Sequence, residues 1–351
     1  MRRLVAATAA LAATALALAG CSGSTTNATA PAAGGTAAAS GGSGSITVYN
    51  AQHEELTKEW AAAFTTQSGI QVTLRNGSDT ELGNQLVQEG AASPADVFFT
   101  ENSPAMTLVN GAGLFAPVDA ATLANVPDGY KPSTGTWTGI AARATVMAYN
   151  PSKIQESELP KSLMDLQKPE WKGKWAASPS GADFQAIVSA MLATQGNDAT
   201  LAWLKAMKEN SVAYKGNTTV MKAVNAGEIP LGIIYHYYWF IDQSKTKENS
   251  ANVKLGYFRN QDPGAFVSVS GGGVLKSSKN PTAAQQFLAF IVGKAGQDIL
   301  RTGTSFEYAI ASGVSPNAAL PSLESLQPPK IDPATLNSKA VSDLMTQAGL
   351  I

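Results

Sequence analysis

Tyr237 and Tyr238 stand side by side in the run Ile233-Ile234-Tyr235-His236-Tyr237-Tyr238-Trp239-Phe240. Taken alone, the run reads as a buried strand end that feeds rings into a core, because aromatic side chains bury large apolar areas. Three phenols within four residues need more than that, since each buried hydroxyl must find a partner. One partner for phenols is a cation. Ionising two of them at neutral pH costs about 3 units each, roughly 8 kcal/mol for the pair, and a hard, highly charged ion can supply it. The chain has one cysteine, Cys21, and two histidines, His53 and His236. Any metal site must therefore be mostly oxygen, which favours a hard cation over zinc or copper.

Neighbouring residues point apart on strands and helices alike, so adjacent tyrosines meet one ligand only where the backbone changes type. Leu231-Gly232-Ile233-Ile234 reads as a buried strand and Trp239-Phe240-Ile241 as a helix opening, which places the pair at a strand-to-helix junction. Open α/β sheets hold ligands at such junctions. Upstream, Ile46-Thr47-Val48-Tyr49 alternates as a strand. A helix striped by Leu56, Trp60, Ala63 and Phe64 ends at Gly69, and Ile70, Val72 and Leu74 form the next strand. A helix through Leu82, Leu86 and Val87 follows, then a strand over Pro94 to Phe99. That is the βαβ rhythm of a parallel sheet, and it puts His53 and Glu101 just past two strand ends. Ala141 to Tyr149 is a further strand with Arg143 at its start. Helices are expected over Phe184 to Leu192, Leu201 to Met207, Val220 to Val224 and Phe287 to Ile291.

Arg2-Arg3 and the apolar stretch Leu4 to Ala19 form a targeting segment that ends Leu18-Ala19-Gly20-Cys21. It resembles a lipobox, which implies cleavage before Cys21 and lipidation of its sulfur. Ser22 to Ser45 is Ser, Thr, Ala and Gly and reads as a tether. Formal charge is 25 minus 26, or −1, and without Arg2 and Arg3 it is 23 minus 26, or −3. That balance argues against a nucleic-acid partner. With Cys21 lipidated, no thiol is left for a disulfide, a nucleophile or a metal. No later apolar run is long enough to cross a bilayer.

From Ile46 to Ile351 the chain resembles the ferric-iron-binding proteins of bacterial ABC importers, which have a transferrin-like type II periplasmic binding fold. The resemblance rests on Val48-Tyr49-Asn50-Ala51-Gln52-His53, Ala95-Asp96-Val97-Phe98-Phe99-Thr100-Glu101, Trp171-Lys172-Gly173-Lys174, Tyr237-Tyr238-Trp239 and Gln261-Asp262-Pro263-Gly264-Ala265. It implies His53, Glu101, Tyr237 and Tyr238 as Fe(III) ligands. It also implies a synergistic anion, carbonate or phosphate, on Ser180-Gly181-Ala182 and Asn217. Two phenolates and one glutamate balance the charge of Fe(III), His53 stays neutral, and about two octahedral positions remain for an anion or water. Arg143 can offset an extra anion charge by bidentate hydrogen bonding. Tyr235, where some relatives carry asparagine, is an additional ligand candidate, and Asn102 stands where they carry glutamine. Asp183, in the first turn of its helix, can cap the amides that an anion would use.

Each residue also has an ordinary role. His53 reads as a helix-capping or exposed residue, Glu101 as a solvated carboxylate, Arg143 as half of an ion pair and Ser180-Gly181-Ala182 as a plain helix start. The resulting expectation is an α/β, two-lobe type II periplasmic binding protein with hinge strands between the lobes, near Ala142 to Met147 and Val267 to Gly271. The signal segment is 1–20, the lipidated Cys21 and tether 21–45, the N-lobe 46–143 plus 268–318, and the C-lobe 144–267 plus 319–351. The expected role is iron capture by a monomer, lipid-anchored on the outer face of the cell membrane, that serves an ABC permease and ATPase. The rivals are a receptor of the same fold for a sugar or cationic solute, whose aromatics stack on it, and a tyrosine-ligated iron oxygenase.

Overall fold

The computed structural model of the chain describes residues 44–351. The signal segment, Cys21 and all but the last two residues of the tether lie outside the described residues. The first half runs β1 (Ser45–Asn50), α1 (Glu54–Ser68), β2 (Gln71–Asn76), α2 (Asp79–Glu89), β3 (Val97–Phe99), α3 (Ser103–Gly111), α4 (Ala120–Ala124) and β4 (Thr138–Tyr149). The second runs β5 (Trp175–Ala177), α5 (Ala182–Asn210), β6 (Ser211–Ala213), α6 (Asn217–Ala226), β7 (Leu231–Tyr235), α7 (His236–Ser244) and β8 (Lys254–Gly256). It closes with β9 (Val267–Val274), α8 (Pro281–Val292), α9 (Lys294–Thr302), α10 (Leu323–Leu326) and α11 (Ser338–Gln347).

The strands follow the order β2-β1-β3-β9-β4-β7-β5-β6, with β8 beside β4. The pairs β1/β2 and β1/β3 are parallel, as the alternation of apolar residues and helical stripes implies. The pivotal strand is β4, buried along all twelve residues. It pairs antiparallel with β9 over Thr138–Ala144, then changes partner and pairs with β7 over Thr145–Tyr149. One backbone thus serves two half-sheets, each with an apolar cluster on either face. Trp60, Phe64, Phe99, Ile140 and Phe287 centre the largest cluster of the first half, and Trp175, Phe184, Trp203 and Tyr237 that of the second. Leu320, Leu323 and Leu326 pack into the first, whereas Leu336 to Ala348 pack into the second.

Local signals act as chemistry dictates. Gly69 ends α1 in the left-handed region, φ 76°, where only glycine is free of Cβ strain. Gly271 in β9 is a matter of space: a Cβ there would lie 2.2 Å from Met106 Cγ. The bare backbone lets Gly271 exchange hydrogen bonds with Thr100, whose N–H donates to Gly271 C=O (2.9 Å) and whose hydroxyl accepts from Gly271 N–H (3.1 Å). The helices foreseen either side of Gly196 are the two arms of α5, parted by the non-helical Gly196, φ 79° and ψ 175°. One expectation shifts: the helix after β7 opens at His236 rather than Trp239. Tertiary packing overrides the poor helix propensity of His-Tyr-Tyr, and both tyrosines sit in the first turn.

Candidate functional site

His53 follows β1 and serves as the residue before α1, but its side chain makes no capping hydrogen bond. The imidazole stands between two carboxylates instead. Nε2 lies 3.0 Å from Glu101 Oε1 and Nδ1 lies 2.9 Å from Glu307 Oε1. Its ring also meets that of Tyr237 edge-on, centroids 4.8 Å apart. Glu101 follows β3 on a tightly held loop. Buried Asp79 accepts the N–H of Glu101 (2.9 Å) on one carboxylate oxygen and that of Asn102 (3.0 Å) on the other.

Tyr237 and Tyr238 come off the end of β7. Their rings lie 4.3 Å apart at 30°, and both hydroxyls reach one oxygen, Oδ2 of Asp183, at 3.3 and 3.1 Å. Asn217, at the start of α6, donates to the same oxygen at 2.6 Å, and Asn102 donates to Oδ1 at 3.1 Å. The sequence reading had Asp183 capping α5. The structure corrects that: the residue before the helix is Gly181, and the carboxylate of Asp183 turns towards the phenols. Ser180 and Gly181 lead into α5 and Ala182 opens it, adjacent in the chain to this carboxylate.

Arg143 lies fully buried in β4. Its guanidinium donates to Glu307 Oε2, to the carbonyl of Glu101 and to Gln52 Oε1, and it lies 5.6 Å from the Tyr237 ring centroid. Its charge is thus already balanced by a carboxylate, the ordinary role foreseen for it. The Tyr235 hydroxyl is within reach of Asn102 Oδ1 (3.3 Å) and of the Asp183 carbonyl (3.2 Å), not of the Asp183 carboxylate. His236 is buried with both nitrogens engaged. Nδ1 accepts from Ala144 N–H at 3.1 Å, and Nε2–H therefore donates to Phe306 C=O at 2.8 Å. It has no lone pair left for a metal.

Sequence reasoning missed Glu307, Asp79 and Gln52. Glu307 carried one faint signal, a lone carboxylate between Phe306 and Tyr308.

The electrostatics are those of a closed ring of charges. Burial alone would lower the pKa of His53, but Glu307 and Glu101 push it up to about 10. Burial alone would raise Glu307, and Arg143 with His53 holds it down to about 2. Burial, with the Glu101 charge, pushes Asp79 up to about 8 and raises Asp183 as well. Tyr237 and Tyr238 lie well above the ordinary phenol value, through burial and then the Asp183 charge. Between pH 6.5 and 8, folded His53 and folded Asp79 both hold protons that the unfolded chain has released. Stability then falls as pH rises, and His53 alone continues the loss to about 10. Chelator-treated protein is therefore expected to show a thermal midpoint that drops from pH 6.5 upward. A midpoint that stops falling above pH 8 would mean that the His53–Glu307 contact does not hold in solution.

A cleft of about 570 Å³ opens beside these groups, lined by His53, Tyr237, Tyr238, Met221 and Asp242 among others. A larger one, about 1030 Å³, lies around Tyr130, Phe266 and Gln327, and none of the candidate donors lines it. Among the described residues no three of His, Cys, Asp and Glu are grouped to hold a metal. The donor set here needs the phenols, which once ionised join Glu101 and Asp183 as anionic oxygen donors beside one imidazole nitrogen, the preference of a hard trivalent ion.

A sequence profile of bacterial extracellular solute-binding proteins matches residues 92–332. The chain is 66% identical over 306 residues to the Fe(3+)-binding periplasmic protein of Serratia marcescens, covering 87% of this chain and 90% of that one. It is 35% identical over 311 residues to the major ferric iron-binding protein of Neisseria meningitidis serogroup B, covering 87% and 93%. Iron-bound HitA from Pseudomonas aeruginosa superposes with a TM-score of 0.82 at 42% identity, over 87% of this chain and 99% of that one.

Proposed function

Because the chain belongs to the bacterial extracellular solute-binding proteins and shares the two-lobe type II periplasmic binding fold of its structural relatives, we propose that it captures ferric iron and delivers it to an ABC permease and its ATPase. The role is transport, not catalysis. We assign the lobes to the two half-sheets that share β4, with closure as a hinge motion about β4 and β9. Cys21 is proposed as the lipid anchor on the outer face of the membrane, and the chain as a monomer.

The observation that carries this reading is the convergence of both phenols on Asp183 Oδ2, with the His53 ring against that of Tyr237. The ligands on this account are His53 Nε2, Glu101, Tyr237, Tyr238 and Asp183, which leaves one octahedral position for water or a second carboxylate oxygen. Asp183 supplies the charge that a carbonate or phosphate would bring, so binding needs no synergistic anion. Ser180, Gly181, Ala182 and Asn217 then support Asp183 rather than a free anion. Arg143 stays outside the coordination sphere because a guanidinium has no lone pair for a metal, and Tyr235 because its hydroxyl is turned to Asn102 and the Asp183 carbonyl.

Iron loading displaces protons from both phenols and from His53 Nε2. Affinity therefore rises with pH, by up to about three protons released per ion. This is opposite in sign to the stability trend of the chelated protein. The test is retention: protein mixed with a weak ferric chelate and then desalted should keep about one iron per chain at neutral pH and shed it on acidification. Protein that keeps no iron but binds a sugar or cationic solute would favour the organic-solute rival.

A further inference from the structure

Glu307 is fully buried, and its two oxygens have different surroundings. Oε2 is crowded by donors: the Arg143 guanidinium, Gln52 Nε2 at 3.2 Å and the Ser270 hydroxyl at 3.4 Å. Oε1 has no hydrogen-bond partner other than the His53 Nδ1 it faces at 2.9 Å. On the far side of the same imidazole, Nε2 points to Glu101. We propose that Glu307 is a positioning residue for iron capture: it holds the proton of His53 on Nδ1 and fixes the ring plane, so that Nε2 offers its lone pair to the ion.

This rests on His53 being a ligand. A metal-bound histidine needs its other nitrogen protonated and held, or the ring rotates and the tautomers mix. Arg143 contributes indirectly: it balances the charge of Glu307 and occupies Oε2, which leaves Oε1 for the imidazole. A glutamine at this position would be turned the wrong way. Arg143 and the Ser270 hydroxyl would claim its amide oxygen, and its NH2 group would face His53 Nδ1. That contact stabilises the tautomer with the proton on Nε2, the one that cannot bind metal through Nε2. His236 is a built-in reference, because its contacts to Ala144 and Phe306 fix the opposite tautomer, Nε2–H.

Only two histidines occur in the chain, so 15N-histidine labelling gives two side chains to assign. The probe is Ga(III), a diamagnetic trivalent ion. In the loaded wild type, His53 should show a proton on Nδ1 and a metal-shifted Nε2, with His236 unchanged as Nε2–H. Glu307→Gln should weaken ferric binding by about 10–100-fold, the usual loss for an outer partner of a ligand, and should leave ion-free His53 with a proton on Nε2 and none on Nδ1, where the wild type keeps its Nδ1 proton. Ga(III) held on His53 Nδ1, or on Nε2 without a proton on Nδ1, would overturn the positioning role while leaving His53 a ligand. Ga(III) bound with both His53 nitrogens unshifted would overturn it differently, by removing His53 from the ligand set. The wild-type spectrum decides even if Glu307→Gln fails to fold.

Discussion

Tyr238→Phe is expected to abolish ferric capture while the protein stays folded. The ring remains to stack on Tyr237 at 4.3 Å, and the lost hydroxyl made one long contact, 3.1 Å, to Asp183. Stability should change by no more than about 1 kcal/mol. Binding loses an anionic ligand, so affinity should fall by more than the roughly 100-fold that removing an outer partner costs. Tyr237→Phe should do the same, with a slightly larger effect on stability because Tyr237 is buried to within 1%. Competitive ferric titration against a chelator, with circular dichroism as the folding control, checks both. Wild-type affinity in either variant would make that tyrosine a packing residue.

Asp183→Ala carries the second large effect, and it separates two ways of completing the coordination sphere. In the wild type, affinity should be the same with and without bicarbonate or phosphate. In the variant, affinity in anion-depleted buffer should fall by more than about 100-fold, and bicarbonate should restore part of it. The space left by the carboxylate lies beside the start of α5, whose first amides no side chain caps, and an anion can fill it. The side-chain amide of Asn217 would also lose its acceptor, whereas that of Asn102 keeps Asp79 Oδ2 at 3.3 Å. Stranding a buried donor costs about 1–3 kcal/mol, so some loss of stability is expected too. A wild type that binds iron only when an anion is supplied would contradict the role given to Asp183.

How much of this was legible in the sequence depends on the range of the interaction. Period-two strands and striped helices are local, and they placed His53 and Glu101 beyond two strand ends and the tyrosines at a third. Asp183 was visible but misread. A carboxylate in the first turn of a helix looks the same whether it caps amides or turns into a cleft, and only the positions of Asn102, Asn217 and the phenols decide. Glu307 was out of reach because its partners are distant in the chain: Arg143 is 164 positions away and Gln52 255. Arg143 could be read as an ion-pair residue or an anion binder on its own merits. The carboxylate that chooses between them lies on a segment with no helical or strand periodicity. The opening of α7 at His236 was missed for a related reason, since aromatic residues have weak helix propensity and packing against β4 determines the start.

The central claim is that adjacent phenolates bind Fe(III) in a site completed by protein carboxylates. The most direct measurement is a visible-absorbance titration of chelator-treated protein with ferric ion, in buffer depleted of bicarbonate and phosphate. Phenolate-to-iron charge transfer is coloured. The prediction is a band that grows linearly, saturates at about one equivalent and is unchanged when either anion is restored. Protein that stays colourless, or colours only once an anion is added, would contradict it.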